Sequence, residues 1–238
     1  MAEPASVHSR IRRDDRAHYD KATVNAILDA AWMAHVGIVN DAGHPVVIPM
    51  LYVRDGDSIV VHGSPATRLL RDLKKGLAVC VTVTIVDGLV LARSAFHHSI
   101  NYRSVVVMGT ATVVDNDAEK EHVLALLTDH VVPGRNATLR PMTVKEIKGT
   151  SVLRIPIDEA SAKIRTGPPI DDEDDYALPI WAGVIPVSPA YGAPEPDPRN
   201  LDGMPLPPDV LALSRKTKEP AAAVRQRAFH ESDISIDP

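Results

Sequence analysis

The alternation from Leu77 to Val86 constrains this chain more than any other stretch. Val79, Val81, Val83 and Ile85 fall on one side of an extended backbone and Cys80, Thr82 and Thr84 on the other, the two-residue period of a strand with one buried face. Similar segments surround it: Ala34 to Val39, Val46 to Val53, Ser58 to His62, Leu89 to Arg93, Ser104 to Val114 and Thr150 to Ile157. Asn40-Asp41-Ala42-Gly43 and Arg54-Asp55-Gly56-Asp57 supply turn chemistry between them, and Asp87-Gly88 reads as a hairpin turn. Pro49 cannot donate to a ladder and belongs at an edge or a bulge, and Gly109 is read as a bulge. Helical periodicity is confined to Val24, Ile27, Leu28 and Ala31 behind an Asp20 cap, to Leu69, Leu70 and Leu73 ahead of Gly76, and to Asp117 through His130. Short strands in hairpin order with few helices predict a mainly β (α+β) fold, a closed or nearly closed antiparallel barrel.

Charge and composition exclude several partners. A formal charge of −5 offers no overall attraction to nucleic acid, and no apolar run approaches the ~20 residues that span a bilayer. Arg10, Arg12 and Arg13 are followed by acids rather than an apolar segment, so no signal peptide is expected. One cysteine, Cys80, rules out an intrachain disulfide and fits a cytoplasmic protein; its place in a valine strand reads as an inert core thiol. Half of the 20 prolines lie from Pro186 onward, which predicts an extended C-terminal tail without helices, with Lys216 to Pro238 loose. Asp171 to Asp175 reads as a solvated acidic run.

Between Ile48 and Ser104 polar groups gather on this apolar scaffold. After the strand ending in His62-Gly63, Ser64-Pro65 reads as a helix cap and first turn, with Thr67 and Arg68 able to grip a phosphate; the same pattern also reads as a plain cap. Ser94 to Ser104 offers hydroxyls, an amide, two imidazoles and Arg103 before a long apolar strand, so Arg103 needs an anion, either a ligand or a structural carboxylate. His97 and His98 are adjacent and point apart, and neither a paired-histidine helix motif nor a cysteine pair exists, so no metal site is expected. Nucleophile elbows, dinucleotide glycine fingerprints and phosphate loops are likewise missing. A chain with a phosphate site but no nucleophile borrows its reactivity, most simply from a bound redox cofactor.

Ile48-Pro49, His62-Gly63-Ser64 leading to Arg68, Asp87 through Ser94, His98-Ser99, Asn101-Tyr102-Arg103-Ser104, Gly109, Lys163-Ile164-Arg165 and Trp181 through Pro186 together resemble the pyridoxamine 5'-phosphate oxidase-like proteins, in the flavin-nucleotide-binding branch related to nitroimidazole-resistance proteins. The resemblance implies a six-stranded antiparallel split β-barrel that forms a homodimer with FMN at the subunit interface. With the compositional readings of the two ends, the expected organisation is an N-terminal arm over 1–19, an FMN-binding domain over 20–187 and a Pro-rich extended tail over 188–238. Pro49, Met50, Leu51 and Tyr52 would line the isoalloxazine. His62, Gly63, Ser64, Thr67 and Arg68 would hold the ribityl phosphate. Ser94, His98, Ser99, Asn101, Tyr102, Arg103 and Ser104 would approach the same cofactor, Trp181 would cover it from the partner, and Lys163 and Arg165 would neutralise phosphate. The extended basic pattern of the true pyridoxamine phosphate oxidases is missing, which argues against vitamin B6 oxidation. The function implied is an FMN-dependent oxidoreductase of a small molecule, with a flavin or haem carrier as the alternative.

Overall fold

Valine-rich strands set the frame of the computed structural model, which describes residues 3–215. In chain order the elements are β1 (Ala17–His18), α1 (Lys21–Ala30), β2 (Met33–Val39), β3 (Pro45–Asp55), β4 (Ser58–Gly63), α2 (Arg68–Leu73), β5 (Ala78–Leu91), β6 (Ser99–Thr110), β7 (Thr112–Val113), α3 (Asp117–Val131), α4 (Val144–Gly149), β8 (Ser151–Pro156), β9 (Glu159–Arg165), β10 (Gly183–Pro186) and α5 (Pro208–Arg215). All ten strands join one antiparallel sheet in the order β1-β9-β6-β5-β2-β3-β4-β8-β7, with β10 also paired to β5. The expected six strands are therefore ten. Short pieces such as β1 and β10 carry no periodicity of their own and exist because an edge is free to accept them.

The sheet curls without closing. Val36, Val81, Val107 and Ala162 from one side of the strand order share a core with Ile59, Leu153 and Ile155 from the other. At Gly109 a Cβ would lie 3.6 Å from Pro156 O, so β6 and β8 approach, yet they exchange no ladder among the described residues. Helix α1, whose N-cap Asp20 accepts the Thr23 amide at 2.8 Å, buries Val24, Ile27 and Leu28 in this core. Helix α2 adds Leu69, Leu70 and Leu73. Each fully buried side chain of this kind is worth about 1.5–3 kcal/mol, so the odd-numbered valines of β5 fix which face turns inward. A smaller cluster of Val53, Val60, Val114 and Val152 lies on the opposite face under Val123 and Leu127 of α3.

Several local expectations change. Asp87-Gly88 is not a hairpin: β5 runs on to Leu91 and the register against β6 shifts between Val86 and Gly88, a bulge. Gly88 is needed there because a Cβ would meet Val184 Cγ1 at 2.9 Å and Ile185 O at 3.1 Å where β10 crosses. Gly109 sits in regular register opposite Val79. Ser64-Pro65 opens a turn closed by Thr67 N donating to Ser64 O at 3.0 Å, and α2 begins only at Arg68. Pro49 pairs with His35 alone, since the β3–β4 ladder starts at Tyr52 opposite Val61. The tail is not wholly extended: Pro208 supplies the preset φ for the first residue of α5, with Asp209 in its first turn. The expectation for residues 216–238 falls outside the described residues.

Candidate functional site

Strand parity decides which predicted residues can face a ligand. With Val36, Val81, Val107 and Ala162 inside, the outer face carries aligned rows across the sheet. One row reads Pro49, His35, Thr82, Val106 and Ser161; another contains Met33 beside Leu51, and a third aligns Thr84, Ser104 and Lys163. Met33, Val39, Val47 and Leu51 are exposed here, and so is Cys80, which is no core thiol because its neighbours Val79 and Val81 take the inner face. His62 pairs with Val152 of the α3-covered cluster and therefore faces outward next to this surface. Its Nδ1 is buried without a partner, and burial pushes the imidazole below its ordinary pKa. Tyr52 and Met50 point the other way. Tyr52 is fully buried, donates its hydroxyl to Leu28 O at 2.5 Å, and burial pushes its phenol above the ordinary range.

Beyond Gly63 the chain turns over one end of the sheet. Ser64 Oγ accepts the Ala66 amide at 3.3 Å, and Arg68 opens α2 with Thr67 as its N-cap. Arg68, Arg71, Asp72 and Lys75 line a cleft with Asp41 from the β2–β3 turn. Lys75 Nζ reaches Asp41 at 2.6 Å and Asp72 at 2.8 Å. Among the described residues the Arg68 and Arg71 guanidiniums make no hydrogen bond or close ion pair, but after the Lys75 hydrogen bond their charges help to hold the Asp72 carboxyl in this cleft below its ordinary range.

A second group lies at the far end of the β5–β6 ribbon. From Thr82, in the row of Pro49, β5 runs to Leu91, roughly 30 Å at 3.3 Å per residue. The connection that follows is pinned by Asp171, whose side chain is fully buried: Oδ1 accepts the Arg93 amide at 2.9 Å and Oδ2 the Arg93 guanidinium at 2.9 Å. Burial would raise this carboxyl, but the Arg93 hydrogen bonds hold it below the ordinary range. Tyr176 stacks under the guanidinium at 4.8 Å. The acidic run is thus anchored at its first residue rather than solvated throughout. Among the described residues, His62 Nδ1, Arg93 Nε, Ser94 Oγ and His97 Nε2 are buried without a hydrogen bond, the last lying 3.4 Å from Asp172 Oδ2. His98 Nδ1 contacts Ser94 O at 2.7 Å, leaving its Nε2 outward.

Other predicted site residues are spoken for. Arg103 makes a two-pronged bond to Asp87, both at 2.9 Å, the structural carboxylate rather than a ligand. Arg165 is buried, donates to Asn101 Oδ1, and is lowered in pKa by burial and then by Arg16; Asn101 in turn donates to Gly167 O at 3.0 Å. Trp181 is 67% exposed and packs against Gly183, where a Cβ would meet its ring at 2.9 Å. The predicted residues therefore form two groups. Pro49, Leu51, His62, Gly63, Ser64, Thr67, Arg68, Ser104 and Lys163 belong to the outer face and its α2 end; Ser94, His98 and Ser99 belong to the far end, and one copy does not bring the groups together. Arg93, Asp171 and Arg71 were missed. Asp171 was hidden in its acidic run, and the three-residue step from Arg68 was the available signal for Arg71.

The model of the pyridoxamine 5'-phosphate oxidase family matches residues 20–164. The chain belongs to this family. Among solved structures the chain is similar to the flavocytochrome Anf3 from Azotobacter vinelandii, 46% identical over 89% of this chain and 99% of that one, with a TM-score of 0.83. The FAD and heme binding protein from Mycobacterium smegmatis is 40% identical over 83% and 97%, with a TM-score of 0.79. A candidate 5-nitroimidazole antibiotic resistance protein from Bacteroides thetaiotaomicron shares the fold at 22% identity and a TM-score of 0.54, over 62% of this chain and 86% of its own. No curated protein matches the chain. For this member of the pyridoxamine 5'-phosphate oxidase family the matched span ends at Ile164, so the Asp171 anchor and β10 lie beyond the family match. Among the described residues no helix is long and apolar enough to cross a membrane, and no group of three or more His, Cys, Asp or Glu side chains is placed to hold a metal ion.

Proposed function

We propose that this chain is a flavin-dependent redox protein that acts as a homodimer with the split-barrel arrangement, the cofactor seated at the seam between copies. The observation that carries this reading is the division of the candidate residues into two groups at opposite ends of one exposed, apolar sheet face, with partnerless buried polar atoms in both. A two-fold pairing of that face sets the far end of one copy beside the α2 end of the other, and it covers Met33, Val47 and Leu51. Pro49 and Leu51 give the ring an apolar floor, Ser64 and Arg68 meet a phosphate, and Ser94 and Arg93 offer donors that the protein itself does not use. When bound, a flavin supplies hydride and single-electron transfer, which no side chain here provides. The residues orient it and keep water away.

A haem beside the flavin is a second reading, supported by the two relatives named above and by the imidazoles available. His62 has a partnerless Nδ1 next to apolar surface, and His98 has one nitrogen fixed on a carbonyl, the arrangement that orients an axial ligand. The test is direct. Protein purified after growth with riboflavin and a haem precursor should be coloured, release flavin on denaturation and bleach on anaerobic addition of NAD(P)H or dithionite. His62→Ala and His98→Ala should separate the haem assignment, because only loss of the true ligand changes the haem spectrum. A colourless protein whose melting temperature does not respond to FMN, FAD or haemin would exclude both readings.

A further inference from the structure

We infer that the exposed apolar strip after β9 is a docking surface for the arginine-bearing N-terminal arm of a second copy of this chain, which closes the Ser94 and His97 end of the seam; the inference rests on the homodimer reading above. Ile170, Tyr176, Leu178, Ile180 and Trp181 of this strip are between 44% and 70% exposed. Acids lie among them. Asp171 is matched by Arg93 at 2.9 Å and Asp172 lies 3.4 Å from His97, whereas Glu173, Asp174 and Asp175 make no ion pair among the described residues. Exposed aromatic and aliphatic side chains with a charged rim have the make-up of a contact surface. Like charges exclude strip against strip, so the partner has to bring cations.

The arm carries that complement. Arg10 and Arg12 are exposed and make no hydrogen bond or ion pair among the described residues, while Arg13 and Arg16 share Asp15 at 2.8 and 3.7 Å. Even with Asp14, residues 10–16 hold four arginines against two acids. Val7, 78% exposed, adds an apolar side chain. The arm is already ordered: Ser9 is buried, the Ile11 amide donates to the Tyr19 hydroxyl at 2.8 Å, and Ser6 Oγ donates to Glu159. Register then selects a second copy. Glu159 stands in the row of Met108, Cys80 and Gly37, at the α2 end of the outer face. The strip leaves β9 beyond Arg165, roughly 20 Å of strand away, and is pinned to Arg93 at the far end. A two-fold pairing that sets the α2 end of each copy beside the far end of the other brings each arm to the other's strip, and the contact is made twice.

Full-length wild type, Arg10→Glu/Arg12→Glu and Glu173→Lys/Asp174→Lys are compared by sedimentation velocity over a dilution series. All four side chains are exposed, so the core is untouched. Either double reversal should weaken the dimer at least about tenfold, and wild type should weaken as salt rises from about 0.05 to about 0.5 M. Mixing the two reversed variants should restore wild-type affinity to within about threefold, because each arm then meets the opposite charge on the other copy. An arm lying on its own strip is not rescued by mixing. Dissociation constants within about twofold of wild type for both reversals, or a mixture no tighter than either variant alone, overturn the arm contact while the homodimer reading stands. A wild-type chain that sediments as a monomer removes the homodimer reading and this inference with it.

Discussion

Arg103 illustrates how a charged residue before a buried strand finds its partner inside the protein. Its guanidinium and Asp87 are both about one-fifth exposed, and the bulge at Val86 and Gly88 brings them face to face. Removing the cation takes a two-pronged partner from a largely buried carboxylate, so Arg103→Ala should cost on the order of 1–3 kcal/mol in urea denaturation, with flavin occupancy per folded molecule unchanged. Lowered occupancy at unchanged stability would return Arg103 to the ligand. His62 carries a pH signature. Burial makes the folded imidazole harder to protonate than the unfolded one, whose pKa is 6.5. Its contribution is therefore complete above that value and is lost as pH falls through the lower folded pKa. Denaturation midpoints at about pH 5 and about pH 7.5 should differ less in His62→Asn than in wild type. An identical pH dependence would remove the buried-neutral assignment.

At the scale of elements, edges and covers determine what periodicity could not reveal. The β5–β6 connection is held by a single buried carboxylate from a segment 78 residues away, through one backbone and one side-chain hydrogen bond. Asp171→Asn keeps the shape but weakens both bonds. Faster hydrogen exchange at the Arg93 amide, with β2 and β3 unchanged, is the expected result; uniform exchange across the sheet would show that the anchor is not local. Because this carboxyl is held below its ordinary pKa of 3.8, the anchor is intact above that value and is lost as pH falls through the lower folded pKa. The N-cap at Asp20 is the contrasting case, legible in sequence because a cap and its amide are three residues apart. Asp20→Ala should cost about 1 kcal/mol by the same denaturation measurement.

For the whole molecule, the proposal depends on an outer face that a single copy leaves uncovered. Val47 is 63% exposed at its centre, beside Gly37 on the neighbouring strand. A carboxylate buried in a seam costs several kcal/mol, so Val47→Asp should shift the protein from dimer to monomer in sedimentation velocity and lower its flavin content together. A wild-type monomer, or a Val47→Asp dimer that keeps its flavin, would exclude pairing through this face.

The sequence by itself determined the strands that carry a two-residue period, the cap of α1, and membership of the pyridoxamine 5'-phosphate oxidase family over residues 20–164, because each is written in neighbours or in ordered motifs. It placed His62, Ser64 and Arg68 together for the same reason. Only the tertiary structure decided that Cys80 faces outward, that Arg103 is spent on Asp87, that Asp171 closes over Arg93, and that the candidate residues divide between two ends of one face. Those outcomes depend on register and on contacts between residues far apart in the chain. A period of two fixes the alternation of side chains, but which side becomes the interior is settled only when the sheet curls and α1 and α2 bury their leucines against it.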